Sequence, residues 1–335
     1  MLEKKTLRNG KWDQWLLDLF VAAPKKRILS RGWFRSLSAM RQLRLCFSDP
    51  LVRFRLEKLM LILPLSHEWP FYQRNLPQYA LNLGTIVEIA HGKYPKLTMI
   101  DVGANVGDSV AINRAHTHVP ILCVEGEHRF FRLLEANTRD LVDIELEHAF
   151  LGADGDQASA VHLERGTARI ELGTGPTRMI LRTLTDAVSR HPRFDRTKFL
   201  KLDAEGFDCK IICCESQFLV RNKPILFFEY HPPLCAAAGY DPFPVFMRLF
   251  EVGYSTVMIY ENTGRYLLSV ESGQWTILED IHQYFAKIGG FCDVAAFHAE
   301  DLDIAEAVRK SEIAGDIHRR NRKECMGPEK VGHAR

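Results

Sequence analysis

The chain has 335 residues, of which 46% are hydrophobic and 26% are charged, and its formal net charge is +2. This length and apolar content suffice for one large or two modest domains with a sizeable buried core. The near balance of charge excludes the strongly basic composition of many nucleic-acid-binding proteins and gives no general case for an acidic polymer as partner.

Residues 1–90 are predicted to form a helical cap. Apolar residues recur at three- and four-residue steps from Trp12 to Ala23, until Pro24 ends the pattern. Further helices are predicted over residues 34–47, 51–63 and 81–91, and residues 66–79 are predicted to be a connecting segment.

Lysine and arginine are in excess between residues 25 and 55. Such a surface is compatible with weak contact to anionic lipid or a phosphorylated substrate, but the solvated side of a cap packed on a catalytic domain is the favoured interpretation. The N-terminus lacks the uniform apolar block of a secretory signal, and the apolar run 59–63 is far shorter than a bilayer span. We therefore expect a soluble, cytoplasmic protein without a transmembrane segment.

Apolar runs alternate with helical patterns over residues 91–300, which predicts an α/β domain with a doubly wound, mostly parallel sheet. Residues 158–183 interrupt this rhythm and are predicted to be an antiparallel insertion, and residues 301–335 a charged, mobile tail. Strands are predicted over 97–102, 119–124, 144–150, 198–202, 224–230, 254–260 and 292–297, with helices over 127–138, 207–219 and 244–252.

The eight cysteines show no paired C-x-x-C spacing, and several lie inside apolar runs, so most are predicted to be reduced core residues. Cys209, Cys213 and Cys214 have a spacing that could bind a metal. Packing of an apolar helix face explains the same spacing equally well.

The first predicted strand ends at Asp101 and is followed by the turn D-x-G-x-N-x-G. Gly103 and Gly107 allow positive φ and close approach of a ligand, and a helix starting at Gly107 would point its free N–H groups at that ligand. The turn predicts a nucleotide-type site, and the alternative is a tight strand-to-helix turn such as any α/β protein contains.

Glu125 ends the next predicted strand. In a βαβ unit, an acidic residue about 20 positions after the glycine-rich turn binds the ribose hydroxyls of an adenosine-containing cofactor. The turn lacks the G-x-G-x-x-G that cradles a pyrophosphate, which favours a phosphate-free ligand such as S-adenosylmethionine. An NAD-dependent oxidoreductase stays open as an alternative.

Six segments between Leu97 and His231 together resemble the FkbM-type methyltransferases. They are Ile-Asp-Val-Gly-Ala-Asn-Val-Gly (100–107), Val-Glu (124–125), residues 131–137, Thr-Leu-Thr-Asp (183–186), Lys-Leu-Asp-Ala-Glu-Gly (201–206) and Ile-Leu-Phe-Phe-Glu (225–229). The resemblance implies a class I, Rossmann-like fold and S-adenosylmethionine-dependent methyltransferase activity. It further implies O-methylation of sugars, glycans or polyketide-type natural products.

The resemblance also implies residues that bind the cofactor. Glu125 would hold the ribose, and Ala149, Phe150 and Leu151 would flank the adenine. The chain departs from the family at Gly126, where proline is usual, and at Ala204, where a branched aliphatic residue is usual. The methionine-side turn would consist of Asp101, Gly103, Ala104, Asn105 and Gly107.

A second acidic motif contains Asp203 and Glu205 at the predicted end of the fourth strand, and Glu229 and His231 end the fifth. The carboxyl ends of neighbouring parallel strands border one crevice, so these side chains are expected to meet there. Acids and a histidine at one rim also suit a divalent metal. No metal is assigned, because the clustering is inferred from strand order alone.

Methyl transfer to a hydroxyl needs alignment, which can supply roughly 7–11 kcal/mol, and a general base, which adds on the order of 10²- to 10⁴-fold. Glu205 and His231 are equal candidates for the base, and Asp203 would orient the cofactor's amino group or the substrate. The competing interpretations are that His231 caps or packs in a loop and that Glu205 is a favourable charge at a helix N-terminus.

The sequence thus predicts an S-adenosylmethionine-dependent O-methyltransferase that acts on a hydroxylated small molecule or glycan. Its acceptor pocket is expected in the cap and in the 158–183 insertion, since fold alone does not specify such pockets. The second alternative is a non-catalytic module that binds the cofactor or tethers a glycan-assembly system.

Overall fold

The computed structural model describes residues 11–22, 28–76, 78–164, 166–172 and 179–325. Its central sheet has eight strands in the order β12-β11-β13-β10-β9-β3-β4-β5. The strands are β1 Leu51–Leu56, β2 Leu59–Pro64, β3 Met99–Val102, β4 Ile121–Glu125, β5 Ile144–His148, β6 Gln157–Glu164, β7 Thr167–Leu172, β8 Met179–Ile180, β9 Phe199–Leu202, β10 Ile225–Tyr230, β11 Tyr254–Glu261, β12 Tyr266–Glu271 and β13 Cys292–His298.

Strands β5, β4, β3, β9 and β10 pair in parallel, whereas β13 pairs antiparallel with both β10 and β11. From β3 the chain moves outward through β4 and β5, then returns to β9 and β10 on the other side. Such a reversal of strand order creates a crevice at the carboxyl ends of the strands, where ligands bind in open α/β sheets. The prediction of a doubly wound, mostly parallel sheet is confirmed.

All seven strands predicted for this sheet are present, within two residues at each end. These strands could be predicted from the sequence because strands that are covered on both faces consist of continuous apolar runs. Every residue of β3 and of β9 is buried. Ile100 and Val102 pack into one core and Met99 into the core on the opposite face, as the two-residue period of a strand requires.

The described helices begin in the N-terminal region and then alternate with the strands. They are α1 Lys11–Ala22, α2 Ile28–Leu45, α3 Trp69–Asn75, α4 Leu81–Lys93, α5 Asp108–His116, α6 His128–Thr138, α7 Leu184–Ser189, α8 Asp208–Cys214, α9 Ser216–Asn222, α10 Pro232–Ala237, α11 Pro244–Glu251, α12 Trp275–Ile288 and α13 Leu302–Cys325, with 3-10 turns at Pro192–Phe194 and Ala299–Asp301.

The prediction of a helix over residues 51–63 is wrong, because β1 and β2 form an antiparallel hairpin there. In β1, exposed arginines alternate with buried apolar residues, which is the two-residue period of a half-buried strand. The turn at Glu57, where φ is 50°, carries no glycine or asparagine that would mark a hairpin. The predicted connector 66–79 likewise contains α3. Pro24 and Pro77 lie outside the described residues.

Three further differences between the predicted and the observed elements lie in the C-terminal half of the chain. The predicted helix 207–219 is two helices, α8 and α9, which meet at Glu215. Strand β12 and helix α12 were not predicted. The chain after Asp301 is not simply a mobile tail, since α13 continues to Cys325 and buries Ile304 and Val308, while residues 326–335 lie outside the described part.

The insertion between β5 and α7 is antiparallel, as predicted. Strand β6 pairs with β7 on one side and with the short β8 on the other. Among the described residues, no helix has the length and apolar content needed to cross a membrane.

Candidate active site

A cavity of about 310 Å³ lies at the carboxyl ends of β3, β4, β9 and β10. This volume is within the range of small-molecule sites. Most of the lining comes from the loops that follow β3, β4, β5, β9 and β10, from the β6–β7 hairpin, and from the segment 67–79 of the N-terminal region, and Phe130 and Phe291 complete it.

The glycine-rich turn forms part of the cavity floor. Gly103 has φ of 72°, and a Cβ at this position would stand 1.9 Å from the carbonyl oxygen of Asp203, so only glycine fits. Gly107, with φ of 90°, is the N-cap of α5. Gly103 and Asn105 line the cavity, whereas Asp101, Ala104 and Gly107 are not among its lining residues in the described part of the chain.

Asp101 is fully buried and forms an ion pair with Lys201, with 3.1 Å between Oδ1 and Nζ. The two residues are register partners on β3 and β9. Burial raises the pKa of Asp101 to about 6, and Lys201 opposes that shift. Lys201 Nζ also lies 3.4 Å from Oδ2 of Asp203, which links the first turn to the second acidic motif.

The Glu125 carboxylate at the end of β4 is fixed by two backbone groups. It accepts hydrogen bonds from the N–H of Asn105 at 2.9 Å and of Glu127 at 2.7 Å. Burial raises the pKa of Glu125 to about 7, and these two N–H groups oppose the shift. The side chain is therefore held in one orientation against the glycine-rich turn, and it lines the cavity.

Ala149, Phe150 and Leu151 line the cavity beyond Glu125. A Cβ at Gly126 would stand 2.2 Å from the ring of Phe150. The absence of proline at position 126 thus has a local explanation, because the aromatic ring takes the space that a larger residue would need. The predicted adenine-side residues and Glu125 share one wall.

Acidic side chains crowd the other end of the cavity. Burial raises the pKa of Glu205 to about 8, with Asp203 and Asp208 adding to the effect. Burial and the neighbouring acids also raise the pKa of Glu229 well above its usual value. Asp293, the register partner of Glu229, has a pKa raised to about 8 by burial and by Asp203.

His231 also lines the cavity, at the start of α10. Its Nδ1 accepts a hydrogen bond from the N–H of Leu234 at 3.3 Å, and its ring stacks on Phe291 with 5.2 Å between ring centroids. Burial lowers the pKa of His231. The neutral ring therefore carries its hydrogen on Nε2. The nitrogen that could accept a proton is Nδ1, and it already accepts the hydrogen bond that caps α10.

Sequence reasoning missed the contribution of the segment 67–79. This segment is positioned by the β1–β2 hairpin, where Ile62 exchanges hydrogen bonds of 2.7 and 2.9 Å with the side chain of Asn137 on α6. The sequence did offer one signal for this contribution: histidine, tryptophan and tyrosine residues are frequent in the segment that was predicted to be only a connector. The cavity-lining residues of this segment are His67, Glu68, Trp69, Tyr72 and Tyr79.

The β6–β7 hairpin closes the cavity from the other side. Gly166 and Thr167 at its tip line the cavity, and Asn105 Nδ2 donates a hydrogen bond of 2.8 Å to the Gly166 carbonyl oxygen. The turn after β3 is thus tied directly to the insertion.

The cavity wall is acidic and aromatic. Among the described residues that line it, none is lysine or arginine. No group of three or more histidine, cysteine, aspartate or glutamate residues in the described chain is arranged to hold a metal ion. Carboxylates crowded in a partly dry site favour a cationic ligand and oppose a phosphate-bearing one.

Comparisons with known proteins give no family assignment. No protein-family model matches the chain, and no curated protein matches it in sequence.

Several solved structures align with part of the chain at low similarity. An FkbM methyltransferase from Methylobacillus flagellatus KT aligns with a TM-score of 0.36 and 14% identity over 60% of this chain and 43% of its own. The METTL16 methyltransferase domain aligns with a TM-score of 0.39 and 14% identity over 72% and 73%. An O-methyltransferase from Bacillus cereus aligns with a TM-score of 0.36 and 12% identity over 66% and 84%. Such scores assign no activity to this chain.

Proposed function

We propose that this protein is an S-adenosylmethionine-dependent methyltransferase of the class I, FkbM-like type. The observation that carries the proposal is the cavity at the switch point of the sheet, with a glycine turn, a fixed carboxylate at the end of β4 and an acidic far end. This combination suits an adenosine joined to a cationic amino acid.

The charges of the cavity distinguish between the candidate cofactors. S-adenosylmethionine carries a sulfonium, an ammonium and a carboxylate group, with a net charge of +1 and no phosphate, whereas NAD carries a pyrophosphate. The described lining residues provide carboxylates and no lysine or arginine. This charge distribution favours binding of S-adenosylmethionine and opposes binding of NAD. Gly103 also brings bare backbone to the cavity lining, and the Asp203 carbonyl oxygen packs where a Cβ would lie.

Individual residues suit different parts of the cofactor. Glu125, held by the N–H groups of Asn105 and Glu127, would accept the ribose hydroxyls. Phe150 and its neighbours would flank the adenine, and Gly103 and Asn105 would face the methionine. Asp101 would support the floor through Lys201 rather than touch the cofactor.

S-adenosylmethionine, when bound, supplies an electrophilic methyl group. Glu205 is the better candidate for the general base, because His231 already uses Nδ1 to cap α10 and the pKa of Glu205 is raised to about 8. Tyr72 and Tyr79, with Glu205 and Asp203, would surround the acceptor, for which we propose a hydroxyl group on a saccharide or natural product.

Thermal shift with S-adenosylhomocysteine and with NAD tests the cofactor. Ligand at about 100 times its dissociation constant stabilises a protein by about 2.7 kcal/mol, so the melting temperature should rise with the first compound and not with the second. A rise with NAD alone would favour an oxidoreductase.

Transfer of labelled methyl groups into fractions of a cell extract tests catalysis. Product that forms with wild-type protein and is lost in Glu205→Gln would reject a module that only binds the cofactor. Tight cofactor binding without any product in glycan, lipid or small-molecule fractions would favour such a module.

A further inference from the structure

Helix α2 has an apolar face that is open to solvent. Trp33 and Leu43 are 50% and 64% exposed, and Phe47, just after the last turn, is 80% exposed. Met40 is also exposed, and these four residues follow one another at steps of seven, three and four positions. Such steps place side chains on one face of a helix. The described part of the chain therefore leaves a continuous apolar face of α2 uncovered.

Helix α1 adds two aromatic side chains to this region. Asp13 in its first turn forms an ion pair of 2.7 Å with Arg44 in the last turn of α2, so the two helices lie side by side and antiparallel. Trp12 and Trp15 are each about half exposed, with 4.6 Å between their ring centroids. Trp12 thus lies at the same end of the helix pair as Phe47.

The same region of the molecule is strongly basic. Helix α2 contains four arginines and no acidic residue. Residues 11–58 contain eleven lysines and arginines and four acidic residues, whereas the whole chain has a net charge of only +2. Arg35, Arg53 and Arg55 are exposed. The expected role of these basic residues as the solvated side of a cap does not account for the exposed tryptophan, leucine and phenylalanine side chains among them.

This combination fits the surface of an anionic membrane. Tryptophan, phenylalanine and leucine enter the boundary between lipid headgroups and acyl chains, while lysine and arginine are attracted to anionic lipids. A second copy of the chain would bring the same basic surface against itself, which like-charge repulsion opposes. Single-stranded nucleic acid binds to flat aromatic rings that stack on its bases, whereas Met40 and Leu43 are aliphatic.

The two helices are attached directly to the segment that lines the cavity. Arg41 of α2 donates hydrogen bonds to the carbonyl oxygens of Leu65 and Ser66 at 2.8 and 2.7 Å. Phe20 of α1 contacts Phe71 of α3, with 4.3 Å between ring centroids. A partner bound by α1 and α2 is therefore held close to the segment 67–79.

We propose that α1 and α2 form a docking surface for a membrane that contains anionic lipid. Trp33, Leu43 and Phe47 enter the headgroup region, and the exposed arginines face the anionic headgroups. This surface lies outside the cavity, and the proposal does not depend on the proposed methyl transfer.

Sedimentation of the full chain with lipid vesicles tests the proposal. The vesicles consist of phosphatidylcholine alone or of phosphatidylcholine with about one third phosphatidylglycerol, and binding to the second kind should be at least about tenfold tighter. This binding should weaken as salt is added, because salt screens the attraction between exposed charges. Tryptophan emission should shift to shorter wavelengths with the anionic vesicles, since the exposed tryptophans leave water.

The double variant Leu43→Ser with Phe47→Ser should bind the anionic vesicles at least about tenfold more weakly than wild type, because it removes apolar side chains from the headgroup region. Both side chains are exposed, so the substitutions leave the core intact. Tyr284→Ser with Ile288→Ser is the matched control. These residues are also exposed, but they lie on α12, which carries two acidic residues. The control should bind the vesicles as wild type does.

Absence of binding to anionic vesicles, equal binding to both kinds of vesicle, or wild-type binding by the Leu43 and Phe47 variant would overturn the proposal. Self-association of the wild type that is lost in this variant, measured by analytical ultracentrifugation without lipid, would assign the face to a second copy of the chain. Binding of a single-stranded oligonucleotide that is lost in the same variant, without binding to vesicles, would assign it to nucleic acid. Either result would replace the membrane as the partner.

Discussion

Gly103 and Asp203 touch across the strands β3 and β9: a side chain at position 103 would place its Cβ 1.9 Å from the Asp203 carbonyl oxygen. Because the obstacle is a backbone atom, no rotation of a flexible side chain can relieve the contact. The glycine turn and the second acidic motif, which are far apart in sequence, are therefore one structural unit.

Gly103→Ala should abolish binding of S-adenosylhomocysteine and destabilise the fold. The positive φ alone costs an alanine about 1–2 kcal/mol, and the contact with Asp203 adds to that cost. Gly289→Ala is the matched control, since Gly289 has φ of 71° and a Cβ added there would have no other atom within 4 Å. Chemical denaturation and calorimetry of both variants give the comparison. If the two variants had the same free energy of unfolding and the same affinity for S-adenosylhomocysteine, the close packing of the glycine-rich turn would be contradicted.

Asp101→Ala should lower the free energy of unfolding by about 3–5 kcal/mol, because it leaves the buried Lys201 without its main partner. In the double variant Asp101→Leu with Lys201→Met, most of this loss should be recovered, since apolar pairs often replace buried ion pairs without cost. Urea denaturation measures both. An Asp101→Ala variant as stable as wild type would refute the structural role of the ion pair.

The free energy of unfolding should fall as the pH rises from about 4.5 to 8. The pKa values of Asp101, Glu125 and Glu205 are raised, to about 6, 7 and 8, chiefly by burial. Each group is more readily protonated in the folded than in the unfolded chain, so its contribution is complete below the usual carboxyl pKa and is lost as the pH passes the raised value.

Denaturation at a series of pH values checks this dependence. Glu205→Gln should flatten the curve between about pH 4.5 and 8, because the amide does not titrate. A wild-type stability that rises over the same range would mean that these carboxyls are not crowded and buried together.

Glu205→Gln should lower the rate of methyl transfer by on the order of 10²- to 10⁴-fold while affinity for S-adenosylhomocysteine is retained. The rate of the wild-type protein should rise with pH towards the pKa of Glu205 at about 8. His231→Asn, whose side-chain oxygen can still cap α10, should keep a rate within about tenfold of wild type. A larger loss of rate in His231→Asn than in Glu205→Gln would assign the general base to His231.

The sheet and its rim were predictable because buried strands have a simple signature. Apolar runs ending in Asp101, Glu125, Asp203 and Glu229 indicated parallel strands, and strand order then brought those acids to one crevice. Short motifs at the ends of predicted strands therefore predicted most of the position of the cavity.

The contributions from the N-terminal region were not predictable in the same way. His67 and Tyr72 reach the cavity through contacts over long sequence distances, such as that of Ile62 with Asn137. The hairpin beneath them was misread because its spacing also satisfies a helical period and its turn at Glu57 lacks glycine. Long-range docking leaves no periodic signal in a single sequence.

The cofactor assignment is tested most directly by calorimetric titration of S-adenosylhomocysteine into wild-type protein and into Glu125→Ala. We predict saturable binding to the wild type and a large loss of affinity in the variant, because Glu125 is fixed by Asn105 and Glu127 at the wall of the cavity. Absence of binding by folded wild-type protein, or equal affinity in the Glu125 variant, would contradict the assignment of this cavity to S-adenosylmethionine.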